Sequence, residues 1–192
     1  MRTLPLLMAM TASLATATLA AQDSTMTMND VTYARHIQVE GHDLVLNGMA
    51  LRKKVILKVY VAGLYLPARS SNAEQILAAD APRRIVLQFL RGVPATRMCG
   101  AWDEALANNT PNASAALKQQ FVTLCGYMED IAKGQQFVFT YLPGQGTRVD
   151  VNGKNKGTLE GKEFADALFK AWLGPKPGPG EGFKKKLLGM AS

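Results

Sequence analysis

Arg52 and Tyr60 stand out as the residues with something specific to offer chemically. A guanidinium presents a rigid fork of N–H donors that suits an oxyanion or a carboxylate, and a phenol adds a neutral O–H. Arg52 precedes, and Tyr60 lies within, the strongest strand signal in the chain, residues 54–66. An even spacing in a regular strand puts both side chains on one face, but roughly 25 Å apart. Shared contact therefore needs a bulge or turn at Lys53 and Lys54, or a hairpin. The plain alternative is a surface arginine and a core tyrosine whose hydroxyl is bonded internally.

Other reactive residues are sparse. The 192 residues contain 2 Cys and 2 His. Widely separated, they cannot supply the closely spaced ligand pairs of a common structural zinc site. His36 and His42 fall near a first hairpin, where an exposed imidazole is expected. No Gly-x-Ser-x-Gly, phosphate loop, dinucleotide fingerprint or His-Glu-x-x-His occurs, so the sequence implies no cofactor and no metal. Asn108-Asn109-Thr110 and Asn112-Ala113-Ser114 match a glycosylation sequon that is common by chance.

The elements that must hold Arg52 and Tyr60 read as α+β. Residues 22–35 are polar and unpatterned, a loose start. Short strands run over 37–39 and 44–46, and Asn47-Gly48 precedes the long strand at 54–66, which Pro67 ends. Its first part alternates with Lys54 and Lys58, and its last part is apolar on both faces. Ser71-Asn72-Ala73-Glu74 forms a capping box for a short helix over 75–79. A strand follows at 85–90. Met98, Ala101, Trp102, Ala105 and Leu106 make one helical stripe, and Leu117, Phe121, Leu124, Met128 and Ile131 a second. After a strand at 137–142, Asn152-Gly153 marks a type I′ hairpin between 147–151 and 154–159. Phe164, Ala167, Leu168, Ala171 and Trp172 form another amphipathic helix, stopped at Gly174-Pro175, and a short helix carries Phe183, Leu187 and Leu188. Strands and helices in blocks imply a largely antiparallel sheet in one domain.

Residues 1–20 read as an address. Arg2, an uncharged apolar run over 4–20 and a small-residue end at Leu19-Ala20-Ala21 describe a secretory signal peptide. Cleavage leaves residues 21–192 as the domain, periplasmic or secreted, with no later segment able to span a membrane. In an oxidising compartment Cys99 and Cys125 favour a disulfide, the alternative being two small buried hydrophobes on helix faces. The formal net charge of +7 is spread over Lys53-Lys54, Arg83-Arg84 and Lys184-Lys185-Lys186. No aromatic platforms interleave with these runs, which argues against nucleic acid.

Leu46-Asn47-Gly48-Met49-Ala50-Leu51-Arg52 followed by Val59-Tyr60-Val61-Ala62-Gly63-Leu64-Tyr65-Leu66 resembles the chalcone isomerase family, in particular its bacterial exported branch. The C-terminal blocks 164–174 and 183–189 support the likeness. It implies an open-faced β-sandwich: an antiparallel sheet with a helical layer on one face and a ligand cleft between. In the plant enzymes a strand-start arginine, matched by Arg52, polarises a carbonyl or enolate. Their two threonines are matched by Tyr60 and Ala171, and their helical Tyr and Asn fall near Trp102, Asn108 or Asn109. Arginine with tyrosine at the threonine position is similar instead to the fatty-acid-binding branch, where the pair holds a carboxylate.

Three readings follow. The first is a binder of a small amphipathic ligand such as a fatty acid, through Arg52 and Tyr60. The second is an isomerase or intramolecular lyase on an enone-like substrate, with Arg52 as catalytic electrophile. The third is a non-catalytic envelope assembly factor. The oligomeric state is not encoded in any motif.

Overall fold

The computed structural model describes residues 24–190, so the expected signal peptide lies outside the described residues. Nine strands form. They are β1 (Thr25–Met28), β2 (Val31–Ala34), β3 (His36–Val39), β4 (His42–Lys54), β5 (Leu57–Leu66), β6 (Arg83–Phe89), β7 (Gln136–Leu142), β8 (Gly146–Val151) and β9 (Lys154–Leu159). Among the described residues the helices are α1 (Ala73–Ala78), α2 (Ala95–Asn109), α3 (Ala115–Gly126), α4 (Lys162–Leu173) and α5 (Glu181–Leu187). Strands β3 to β9 make a seven-stranded antiparallel meander in chain order, while β1 and β2 pair separately.

The sheet divides two apolar clusters. Leu64, Ile85, Leu87, Phe137 and Phe139 point inward and pack on α2 and α4. On the outer face Leu46, Met49, Val61, Val86 and Val138 gather with Val31 and Tyr33 of β2. The expected architecture therefore forms: a curled antiparallel sheet with helices laid across one face.

Helix α4 is the centre of the helical layer. Besides the expected stripe, Ala165, Phe169 and Leu173 are also buried, because neighbouring helices cover the side that the sheet does not. Only the side carrying Lys162, Glu163, Asp166 and Lys170 stays polar, so the apolar face is wider than one stripe. Trp172 of α4, Trp102 of α2 and Phe139 of β7 meet nearly edge to face, with centroids 5.5 Å apart for the two indoles and 5.6 Å for Trp102 and Phe139.

Several local expectations need correction. Residues 22–35 are not a loose start: β1 and β2 form a hairpin, and buried Tyr33 donates to the Val61 carbonyl at 3.0 Å, pinning that hairpin to the outer face. Its polar sequence concealed this because only Val31 and Tyr33 turn inward. Asn47-Gly48 does not interrupt a strand, since β4 runs through it with a register shift. The strand expected over 54–66 begins only at Leu57, after a tight turn at Val55-Ile56. The cap of α1 is Asn72, which accepts from the Gln75 amide at 3.0 Å, rather than Ser71. Met128 and Ile131 lie beyond α3, and Ile131 bridges to Val93 instead. At the β8–β9 hairpin both Asn152 (φ 49°) and Gly153 (φ 79°) take positive φ, as a type I′ turn requires.

Arg83, part of one of the basic runs of the sequence, does not lie on the surface. It is 1% exposed. Its guanidinium pairs with Asp166 of α4, donates to the Ile76 carbonyl at 3.0 Å, and stacks between the rings of Tyr141 and Phe169. A buried charge is tolerable only with such partners.

Cys99 of α2 and Cys125 of α3 are joined by a disulfide across 5.2 Å between Cα atoms. The intact protein should therefore be two hydrogens lighter before reduction than after it. Reduction should lower the free energy of unfolding by about 3–4 kcal/mol for a loop of this length; identical masses would reject the bridge.

Candidate ligand site

The hairpin between β4 and β5 resolves the distance between Arg52 and Tyr60. The chain turns back at Val55-Ile56, and the two become directly opposed cross-strand partners. Such partners lie about 5 Å apart at Cα, not the roughly 25 Å of a single strand. Tyr60 in turn opposes Phe89, so Arg52, Tyr60 and Phe89 form one row across β4, β5 and β6.

A bulge decides which way this row faces. Leu44 and Leu46 point to the outer cluster, and strict alternation would send Arg52 the same way. The register shift between Leu46 and Gly48 inserts one extra residue at Asn47. Beyond it Met49 faces outward and Ala50 inward, so Arg52 faces the helices. Asn47 is 1% exposed and fully partnered. Its Nδ2 donates to the carbonyls of Ser70 at 3.0 Å and Leu187 at 2.8 Å, and its Oδ1 accepts from the Ser70 amide at 2.7 Å. Gly48 next to it has to be glycine. An added Cβ would sit 2.2 Å from the Lys186 carbonyl oxygen of α5.

The row lines a cavity of about 770 Å³ between the sheet and helices α2 and α4. Leu87, Phe89, Met98, Trp102, Ala171 and Trp172 give it mostly apolar walls. Arg52, half-buried, makes no hydrogen bond or ion pair among the described residues. Tyr60 is held on three sides. Phe89 lies at 5.5 Å and Phe183 at 6.0 Å between centroids, and Trp172 Nε1 donates to the Tyr60 hydroxyl oxygen at 3.2 Å. That bond occupies the oxygen and leaves the phenol proton free to donate. Burial pushes the Tyr60 phenol up to about 12, against the opposing pull of the Trp172 bond and the Arg52 charge. The phenol thus keeps its proton at neutral pH. A cation and a neutral O–H, side by side and without protein acceptors, can engage the two oxygens of a carboxylate or a single enolate oxygen.

The remaining expected residues divide. Ala171, Trp102 and Asn108 line the same cavity. Asn109 does not. Its side chain holds the segment after α4, donating to the Lys176 carbonyl and accepting from the Lys176 amide. Trp172 follows from its stripe as a core residue, but its bond to Tyr60 has no signal in the sequence. Asn47, expected between two strands, lies within β4. The adjoining glycine was the available signal, because a bulge and a turn use the same residue types. Trp102 adds an indole N–H that is buried without a partner.

A profile of chalcone isomerase-like proteins matches residues 25–189, almost the whole described chain. The protein belongs to the chalcone isomerase-like family. Among solved structures, the crystal structure of a fatty-acid binding protein from Arabidopsis thaliana is similar in fold. Its TM-score is 0.68 at 16% sequence identity, over 85% of this chain and 95% of that one. No curated protein matches the sequence. In this family member Arg52 and Tyr60 face one cavity.

Two outcomes are expected. Asn47→Ala strands the Ser70 amide and the Leu187 carbonyl, and should lower the urea-derived unfolding free energy by about 2–4 kcal/mol; a loss under about 1 kcal/mol would show that the bulge stands without it. Tyr60 in the unfolded chain ionises near pH 10, about two units below the folded value. Its contribution to stability is therefore complete below pH 10 and is lost as pH rises toward 12. Tyr60→Phe should flatten that part of the alkaline decline, read from melting temperatures across pH 9–12.

Proposed function

We propose that this protein is an exported binder of a small amphipathic carboxylate, a fatty acid or a molecule of that kind. In this reading Arg52 and Tyr60 hold the carboxylate and the acyl chain lies along Leu87, Phe89, Trp102 and Trp172. The observation that carries it is the unpaired Arg52 guanidinium beside the free Tyr60 O–H in the wall of an apolar cavity. Leaving a half-buried cation without a partner is unfavourable, and a ligand carboxylate would supply one. The volume of about 770 Å³ falls within the range of small-molecule sites, roughly 300–1,000 Å³. The fatty-acid binding protein of similar fold is in keeping with such a ligand. The Cys99–Cys125 disulfide is in keeping with export.

Tyr60 and Ala171, in place of the two threonine hydroxyls of the plant enzymes, leave a single phenol where that chemistry uses two aliphatic hydroxyls. That favours holding an anion over cyclising a chalcone.

The test is to purify the exported protein, extract it with organic solvent and identify bound lipid by mass spectrometry, then titrate palmitate into the delipidated protein. An acyl ligand should be recovered. Arg52→Ala should weaken palmitate about 10- to 100-fold and Tyr60→Phe less, as expected for one charge-assisted and one neutral hydrogen bond. No recovered lipid together with unchanged affinity in both variants would end this reading. Chalcone turnover above background that disappears in Arg52→Ala would assign the isomerase chemistry instead.

A further inference from the structure

The tip of the β4–β5 hairpin combines three features that each disfavour a protein surface in plain water. Val55, Ile56 and Leu57 are consecutive and 89%, 85% and 49% exposed, where isolated apolar side chains are the norm and contiguous ones mark an interaction site. Val55 has a φ of 57°, a conformation that a β-branched residue rarely takes and that hairpin turns usually give to glycine. Lys53 and Lys58 are directly opposed across the strands, a pairing of like charges that destabilises a ladder. None of these residues packs in either apolar cluster, so the fold does not call for them.

The charge around the tip has one sign. No acidic residue occurs between Asp43 and Glu74. Lys53, Lys54 and Lys58 flank the apolar residues and are exposed. Lys54, Val55, Ile56 and Leu57 also border the cavity opening, where exposed Arg91, Arg97 and Lys176 stand against a single acid, Glu104. Among the described residues none of these six basic side chains forms an ion pair.

We propose that this tip docks on an anionic lipid bilayer. Val55, Ile56 and Leu57 enter the boundary between headgroups and acyl chains, and the surrounding cations sit on lipid phosphates. Docked in this way, the cavity opening faces the membrane. A second copy of the chain fits this surface poorly, since joining two tips would bring their lysine clusters together. The inference does not depend on what the cavity binds.

The test is co-sedimentation of the purified protein with vesicles of phosphatidylcholine containing phosphatidylglycerol, against phosphatidylcholine alone, over a range of salt. Binding should require the anionic lipid and weaken with salt. Val55→Gly with Ile56→Ser should reduce partitioning about tenfold or more while the melting temperature does not fall, because both side chains are in solvent and glycine suits the positive φ of Val55. Lys53→Gln with Lys58→Gln should reduce it about 25-fold, about fivefold per cation, and leave palmitate affinity in solution unchanged. The vesicle measurement needs no fatty acid, so failure of docking and failure of the fatty-acid reading are separately visible. Equal binding to neutral and anionic vesicles, no effect of the tip variants, or a dimer in the absence of vesicles that those variants dissociate would each overturn the proposal.

Discussion

Everything at the cavity depends on one buried amide. Asn47 inserts an extra residue into β4, and in a strand a single residue exchanges the two faces. Above the bulge the apolar side chains of β4 serve the outer cluster; below it the inward face carries Ala50 and Arg52. The insertion leaves backbone groups out of the ladder. The Asn47 side chain answers by tying β4 to the loop at Ser70 and to the end of α5 through three hydrogen bonds. Gly48 lets α5 approach closely enough for this. Bulge, C-terminal helix and the orientation of Arg52 are therefore one device.

The two central arginines illustrate how burial sorts charge. Arg83 enters the core fully, and the fold surrounds it with Asp166, the Ile76 carbonyl and two aromatic rings. Arg52 is less buried and is given nothing to bind. Both point inward from the same sheet. A satisfied cation is part of the scaffold, whereas an unsatisfied one beside an apolar cavity is available to something else. The Tyr60 phenol repeats this logic on a smaller scale, its oxygen occupied by Trp172 and its proton left free.

Much of the architecture was legible along the chain. The stripe from Phe164 to Trp172 located α4, Asn152-Gly153 located the last hairpin, and residues 137–142 located β7, because each signal is local and repeats with the period of its element. Legibility failed where two physical demands share one residue type. Asn47-Gly48 looked like a break, since bulges and turns both use Asn and Gly. The turn at Val55-Ile56 was invisible because β-branched residues signal strand, not reversal. Residues 25–34 looked featureless because a hairpin laid on a sheet buries only a few side chains, Val31 and Tyr33.

By itself the sequence determined the fold class, the family and the two residues worth watching, since composition, periodicity and a conspicuous block around Arg52 survive without coordinates. It also supplied both cysteines in positions that could meet. Only the tertiary structure decided that Arg52 and Tyr60 are neighbours, that they face the helices, that Trp172 holds the phenol, and that Arg83 lies inside and not on the surface. The reason is geometric. Pattern along a chain specifies which side of an element is apolar, but the pairing of strands and the parity across a bulge are fixed by contacts between residues far apart in sequence, such as Asn47 and Leu187.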